Sequence, residues 1–162
     1  MIIEFDSNLK LEIPNDICKE LLKFKQQSNM NESGGILLGK KNLESYTYTL
    51  TTISTPSPTD KSTLTSFIRK KKNAQKILDH EWNKSNGIVN YLGEWHTHSV
   101  MHPSPSLQDK LFIKQLHKDK INQFRHFFMF ILGNTGLLFI GVVDSNITNS
   151  FVYKKTIQIE ED

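Results

Sequence analysis

Short apolar runs broken by turn residues open and close this chain, and between them apolar residues recur at helical offsets. Residues 2–5 and 9–13 are β-rich and flank Asp6-Ser7-Asn8, which predicts a hairpin. Pro14-Asn15-Asp16 offers a helix start. Ile17, Leu21 and Phe24 follow at helical spacing, so a helix with one buried stripe is expected over roughly 16–28. Residues 34–40 are a short apolar strand bracketed by glycines, and residues 44–54, rich in Thr and Tyr, read as a further strand. Pro56 and Pro58 end it in a loop. Asp60-Lys61-Ser62 and the acidic residues 160–162 read as mobile.

Phe67, Ala74, Ile77, Leu78 and Trp82 sit at helical offsets and place a second helix near 69–85, stopped by Gly87. Residues 88–95 then form a strand running straight into His96. Pro103 and Pro105 hold the next segment extended. A third helix is expected over 106–118, with Leu107, Leu111 and Leu116 on or near one face. Residues 126–132 and 137–143 are strongly apolar strands joined by Gly133-Asn134-Thr135-Gly136, a hairpin turn by composition, and 151–159 form a last strand. The pattern predicts an α/β (α+β) fold, a mixed and largely antiparallel sheet flanked by about three helices, with residues 1–162 as a single domain.

Composition narrows the function classes. The net charge of +3 gives no argument for a nucleic-acid or membrane surface, and no run of about 18 apolar residues is present. The start reads as a strand and not as a signal peptide. The one cysteine, Cys18, allows no intrachain disulfide and no cysteine-rich zinc site, including that of the zinc nucleobase deaminases. It reads as a buried helix residue, and a lone thiol fits a cytoplasmic protein.

The candidate chemistry lies in His96-Thr97-His98. Side chains two apart at the end of a strand point to one face, so both imidazoles can converge on one point. Asp109 follows after the proline-stiffened loop. Two histidines and a carboxylate make a hydrolytic zinc set, three protein ligands with one position open for water. Ser106, three residues before Asp109, could donate to a developing oxyanion. The candidate general bases are Glu32, just before the Ser33-Gly34-Gly35 turn, and Glu94, two residues before His96. Gly34-Gly35 is read as lowering the steric cost of that turn.

The run His96-x-His98, seven residues, then Ser106-x-x-Asp109 resembles the JAMM motif of MPN-domain metallopeptidases. Glu32-Ser33-Gly34-Gly35-Ile36-Leu37-Leu38-Gly39 resembles the family's glutamate strand. The tract from Tyr91 to His98, with Pro103-Ser104-Pro105-Ser106, is most similar to a bacterial (prokaryotic JAB) branch, the deconjugating peptidases of CBASS anti-phage operons. The resemblance implies one Zn²⁺ held by His96, His98 and Asp109, with Glu32 as general base and Ser106 assisting the oxyanion. It also implies a protein substrate, a nucleotidyltransferase or ubiquitin-like protein conjugated through its C-terminus. The family usually has proline after the second histidine, and here Ser99 stands there.

Other readings compete. Ser106-Leu107-Gln108-Asp109 also spells a helix-capping box. Glu94 is read first as a carboxylate beside the site, holding a histidine tautomer. Arg69-Lys70-Lys71-Lys72 reads as a solvated charge run, and His102 as a loop residue. The alternative to an enzyme is a non-catalytic MPN scaffold that binds partners.

Overall fold

The computed structural model describes residues 1–119, 124–147 and 150–160. The strands are β1 (Ile2–Asp6), β2 (Leu9–Glu12), β3 (Gly34–Asn42), β4 (Thr47–Ile53), β5 (Lys61–Thr63), β6 (Ser66–Ile68), β7 (Asn90–Thr97), β8 (His126–Leu132), β9 (Leu137–Asp144) and β10 (Phe151–Gln158). The helices among the described residues are α1 (Asn15–Leu22), α2 (Lys71–Lys84) and α3 (Leu107–Asp119). Eight strands form one sheet in the order β1-β2-β4-β3-β7-β8-β9-β10. Its pairings are antiparallel except β2 with β4 and β7 with β8. The expected fold class is thus borne out.

The sheet curls until its outer strands meet. Tyr153 on β10 donates to the Asp6 carboxylate on β1, Lys155 donates to the Glu4 carbonyl, and the Phe5 and Tyr153 rings lie 5.9 Å apart. Inside the curl, Leu11, Tyr48, Phe128 and Ile140 pack together, closed over by Ile17 and Leu21 of α1. The opposite face carries a second core of Ile36, Leu38, Met129 and Ile131, under Ala74 of α2 and Ile113 and Leu116 of α3. Alternate residues of the central strands therefore serve two cores, which is why these strands read as continuous apolar runs. Cys18 is buried, as expected.

A bulge in β7 bears on the site. Leu37 pairs with Gly93 and Leu38 with Tyr91, so Leu92 is the extra residue. Tyr91, three residues before Glu94, is thereby brought to the same face.

Four expectations are corrected. The first helix ends at Leu22, not near 28, because Phe24 packs against Trp95 with ring centroids 5.2 Å apart and the Gln26 amide finds tertiary partners. Asp60-Lys61-Ser62 is not a mobile tip, since Lys61 and Ser62 belong to a hairpin in which β5 pairs antiparallel with β6. Phe67 lies on that hairpin and not on the second helix. Polar β5 showed no alternation because its stability comes from hydrogen bonds to residues 31 and 32. In α3, Leu107 and Leu111 are 73% and 55% exposed, while Ile113 and Leu116 are buried. The inward stripe is thus Asp109, Ile113 and Leu116, spaced by four and three residues. Glu161 and Asp162, the end of the acidic tail, lie outside the described residues.

Candidate metal centre

β7 carries His96 in its last turn of pleat and delivers His98 one residue past its end. It is held between β3, where Gly34 faces His96, and β8, where Ile131 does. His98 N–H donates to the Leu132 carbonyl at 2.9 Å, which extends the strand's path by one residue. The strand parity inferred from sequence holds. His96 Nε2 and His98 Nε2 lie 3.2 Å apart, with Asp109 Oδ1 3.2 Å from the first and Asp109 Oδ2 3.7 Å from the second. One ligand atom from each of the three residues falls within 4.8 Å of the others.

The same stripe that anchors α3 to the sheet brings Asp109 to the histidines, and the helix start fixes its orientation. Ser106 is the N-cap: its Oγ accepts from Asp109 N–H at 3.2 Å, while Asp109 Oδ2 accepts from Ser106 N–H at 2.6 Å and from Ser106 Oγ–H at 2.7 Å. This is a reciprocal capping box with aspartate in the third position. The capping and site readings are compatible, because Oδ2 serves the cap while Oδ1 turns to His96. Burial raises the Asp109 pKa, but the hydrogen bond and charge of His96, with Ser106 behind them, outweigh it and hold it at about 2. Burial pushes His98 down, and its neighbour His96 adds to that. A carboxylate that stays ionised beside a neutral imidazole is the protonation state a divalent metal requires. Ser106→Ala is expected to cost about 1 kcal/mol of stability through the lost cap, read as a lower urea midpoint, and to weaken metal binding.

Glu32 is buried, and its side chain lines the same cleft as His96, His98 and Asp109. Burial lifts its carboxyl to about 7, with His96 pulling the other way and Asp109 adding to the rise. The glycines after it do not serve a left-handed turn. They allow close approach, since a Cβ on Gly34 would sit 2.5 Å from the Phe67 ring and one on Gly35 2.2 Å from the Ser54 carbonyl. That carbonyl accepts the Trp95 indole N–H at 2.9 Å, so an added methyl disturbs the strand carrying His96. Gly35→Ala is expected to destabilise the fold by about 1–3 kcal/mol, measured by urea unfolding.

Glu94 shares the cleft but holds no histidine. Its carboxylate takes Arg69 Nε at 3.0 and 2.9 Å, Arg69 Nη2 at 2.5 Å and the Tyr91 hydroxyl at 2.5 Å. Arg69 is correspondingly no part of a solvated charge run: the pair is largely buried, at 21% and 11% side-chain exposure. The partners stand 25 residues apart, and nothing in the local sequence announces the pairing. Gln26, in the segment between α1 and Glu32, was likewise missed, because an isolated glutamine after a helix carries no signal.

The 99–105 loop keeps its course without proline at Ser99. Asn134 N–H donates to the Val100 carbonyl at 2.9 Å and Thr135 Oγ1 to the Met101 carbonyl at 3.2 Å, so the β8–β9 turn pins it. His102 is exposed in this loop, as expected. The cleft has a volume of about 370 Å³ and runs from the histidines between Phe67 on β6 and Phe112 on α3. The donor set, two imidazoles and one carboxylate with their ligand atoms within 4.8 Å of one another, fits a metal site with three protein ligands and room for a small molecule.

Residues 14–146 match the family model for prokaryotic homologs of the JAB domain. The chain is 33% identical over 109 residues to a CD-NTase/cGAS isopeptidase of Escherichia coli (strain TW11681), covering 67% of each chain. It is 27% identical over 111 residues to the enzyme of that name from Vibrio cholerae, covering 68% of this chain and 70% of the other. A Desulfitobacterium hafniense protein solved in solution shares the fold, with a TM-score of 0.59 and 14% identity over 93% of this chain and 91% of that one.

Proposed function

Because this chain belongs to the family of prokaryotic JAB-domain homologues, we propose that it is a zinc-dependent isopeptidase which frees a CD-NTase or ubiquitin-like protein from a conjugate at its C-terminus. The observation that carries the reading is the convergence of His96, His98 and Asp109 in one cleft with Glu32. When bound, a zinc ion supplies Lewis acidity toward a carbonyl and acidifies water to a pKa of about 7. His96 and His98 would hold it through Nε2 and Asp109 through its carboxylate.

The chain's own groups account for the proton traffic. Glu32, whose burial suits it to exchange protons near neutrality, takes the proton of the attacking water and passes it to the departing amine nitrogen as the C–N bond breaks. Ser106 Oγ, which donates to Asp109 in the resting state, swings to donate to the carbonyl oxygen as charge builds there. The leaving amine is a lysine ε-amino group or a peptide nitrogen.

The names of the two relatives support a CD-NTase as the protein released, and with it reversal of conjugation in an anti-phage system. One sheet taking in strands from β1 to β10 supports reading residues 1–162 as one domain. Among the described residues no helix is long and apolar enough to cross a membrane. A cytoplasmic place of action goes with the buried free thiol of Cys18. No feature of the site calls for a nucleic-acid partner. Metal analysis tests the ligand set: native protein should carry one zinc per chain, and Asp109→Asn should fall far below that. Stoichiometric zinc in Asp109→Asn would remove Asp109 from the set.

A further inference from the structure

Glu32 sits in no regular element, yet its own backbone groups and those of Ser33 are all held. Its N–H donates to the Thr63 carbonyl at 2.7 Å, and its carbonyl accepts from Ser62 Oγ, both on β5. Asn31 Nδ2 donates to the Ser62 carbonyl at 3.0 Å. On the other side, Ser33 N–H donates to Thr97 Oγ1 and Thr97 N–H donates to the Ser33 carbonyl, each at 2.9 Å. The carboxylate is thus suspended between the β5–β6 hairpin and the residue that separates the two histidines.

One side chain ties these two supports together. Gln26 is 1% exposed. Its Nε2 donates to the Met30 carbonyl at 2.7 Å and to the Leu64 carbonyl at 2.9 Å, which joins the segment leading to Glu32 to the tip of the hairpin. Its Oε1 accepts from Thr97 Oγ1–H at 3.4 Å. Both amide hydrogens and the amide oxygen are engaged. No other residue type of this volume supplies two donors and an acceptor in that arrangement, because glutamate would set a carboxylate against two carbonyls and methionine would leave both unpaired. None of its partners is a metal-ligand atom.

We infer that Gln26 is a positioning residue for the reaction, setting the place of the Glu32 carboxylate relative to His96 and His98 by locking segment 30–33 and the β5–β6 hairpin to Thr97. The inference rests on the reading of Glu32 as the base. It separates two jobs within the site: the sheet and α3 fix the histidines and Asp109, while Gln26 fixes the base. Loss of the amide should therefore reduce turnover without touching the metal set.

The test is Gln26→Met in the full chain, loaded with zinc for kinetics and with Co²⁺ for spectroscopy, at a temperature where circular dichroism shows the variant folded. The probe is a CD-NTase joined through its C-terminal carboxyl to a lysine ε-amino group of a reporter protein. kcat should fall roughly 10–100-fold, the scale of an ångström-sized misplacement of a reacting group, with KM changed by no more than about threefold. The Co²⁺ absorption spectrum should match that of the native protein. Unchanged kcat overturns the inference, and so does a rise in KM alone, which would make Gln26 part of the substrate groove. An altered Co²⁺ spectrum also overturns it, because the ligands would then have moved. Should Gln26→Met fail to fold, Gln26→Asn, shorter by one methylene but still an amide, carries the same readouts. Glu32→Gln run beside it separates the two failures. Full activity there removes the base assignment itself, whereas its loss alongside unchanged kcat in the Gln26 variant removes only the positioning role.

Discussion

Glu32→Gln is expected to slow isopeptide hydrolysis by a factor on the order of 10²–10⁴ while leaving zinc content unchanged. The substitution keeps the shape of the side chain and removes only the group that can accept a proton. Glu32 touches none of the ligand atoms through a hydrogen bond, so His96, His98 and Asp109 should keep the metal. Single-turnover cleavage with parallel metal analysis checks both halves. Retained turnover would transfer the role to Glu94, the other carboxylate of the cleft. The structure opposes that transfer, because Glu94 already accepts three contacts from Arg69 and one from Tyr91. Both of its oxygens are thus already occupied by those donors.

Arg69→Met is expected to have the largest effect on stability, about 3–5 kcal/mol, or a fall in Tm of roughly 6–20 °C for a chain of this size. The cause is not the lost attraction alone. Glu94 is buried, and without the guanidinium its charge keeps, among the described residues, only the Tyr91 hydroxyl as a partner. Adding Glu94→Gln should return most of the loss, since a neutral amide no longer demands a counter-charge. Thermal unfolding of the single and double variants measures this. If the double variant is as unstable as the single one, Arg69 matters through packing and not through the ion pair. Arg69 lies between β6 and α2, so the pair also fastens the far end of the hairpin to the strand bearing His96.

The parts legible in the sequence are those set by local periodicity and fixed spacing. His96 and His98 could be placed on one face because a strand alternates, and Ser106 with Asp109 because a capping box has a fixed offset. The central strands β7, β8 and β9 were legible because their residues are buried on both faces. What escaped depends on partners far apart in the chain. Arg69 and Glu94 stand 25 residues apart and are joined only by the fold, so Arg69 looked like one more cation in a basic run. Gln26 binds Leu64, 38 residues on, and Thr97, 71 residues on. The β5–β6 hairpin was missed because polar residues held by side-chain hydrogen bonds leave no apolar rhythm. Of the stripe Leu107, Leu111 and Leu116 expected for α3, only Leu116 faces inward, since an exposed leucine and a buried one look alike in sequence.

The central claim, metal-dependent cleavage by this cleft, is tested most directly on a CD-NTase whose C-terminal carboxyl is joined to a lysine of a reporter protein. The protein is incubated with this conjugate before and after chelation and after zinc is restored. The account predicts release of intact CD-NTase and reporter by the native protein, no release after chelation, recovery with zinc, and none at any stage from Asp109→Asn. Release that persists after chelation, or that Asp109→Asn supports at the native rate, would contradict it.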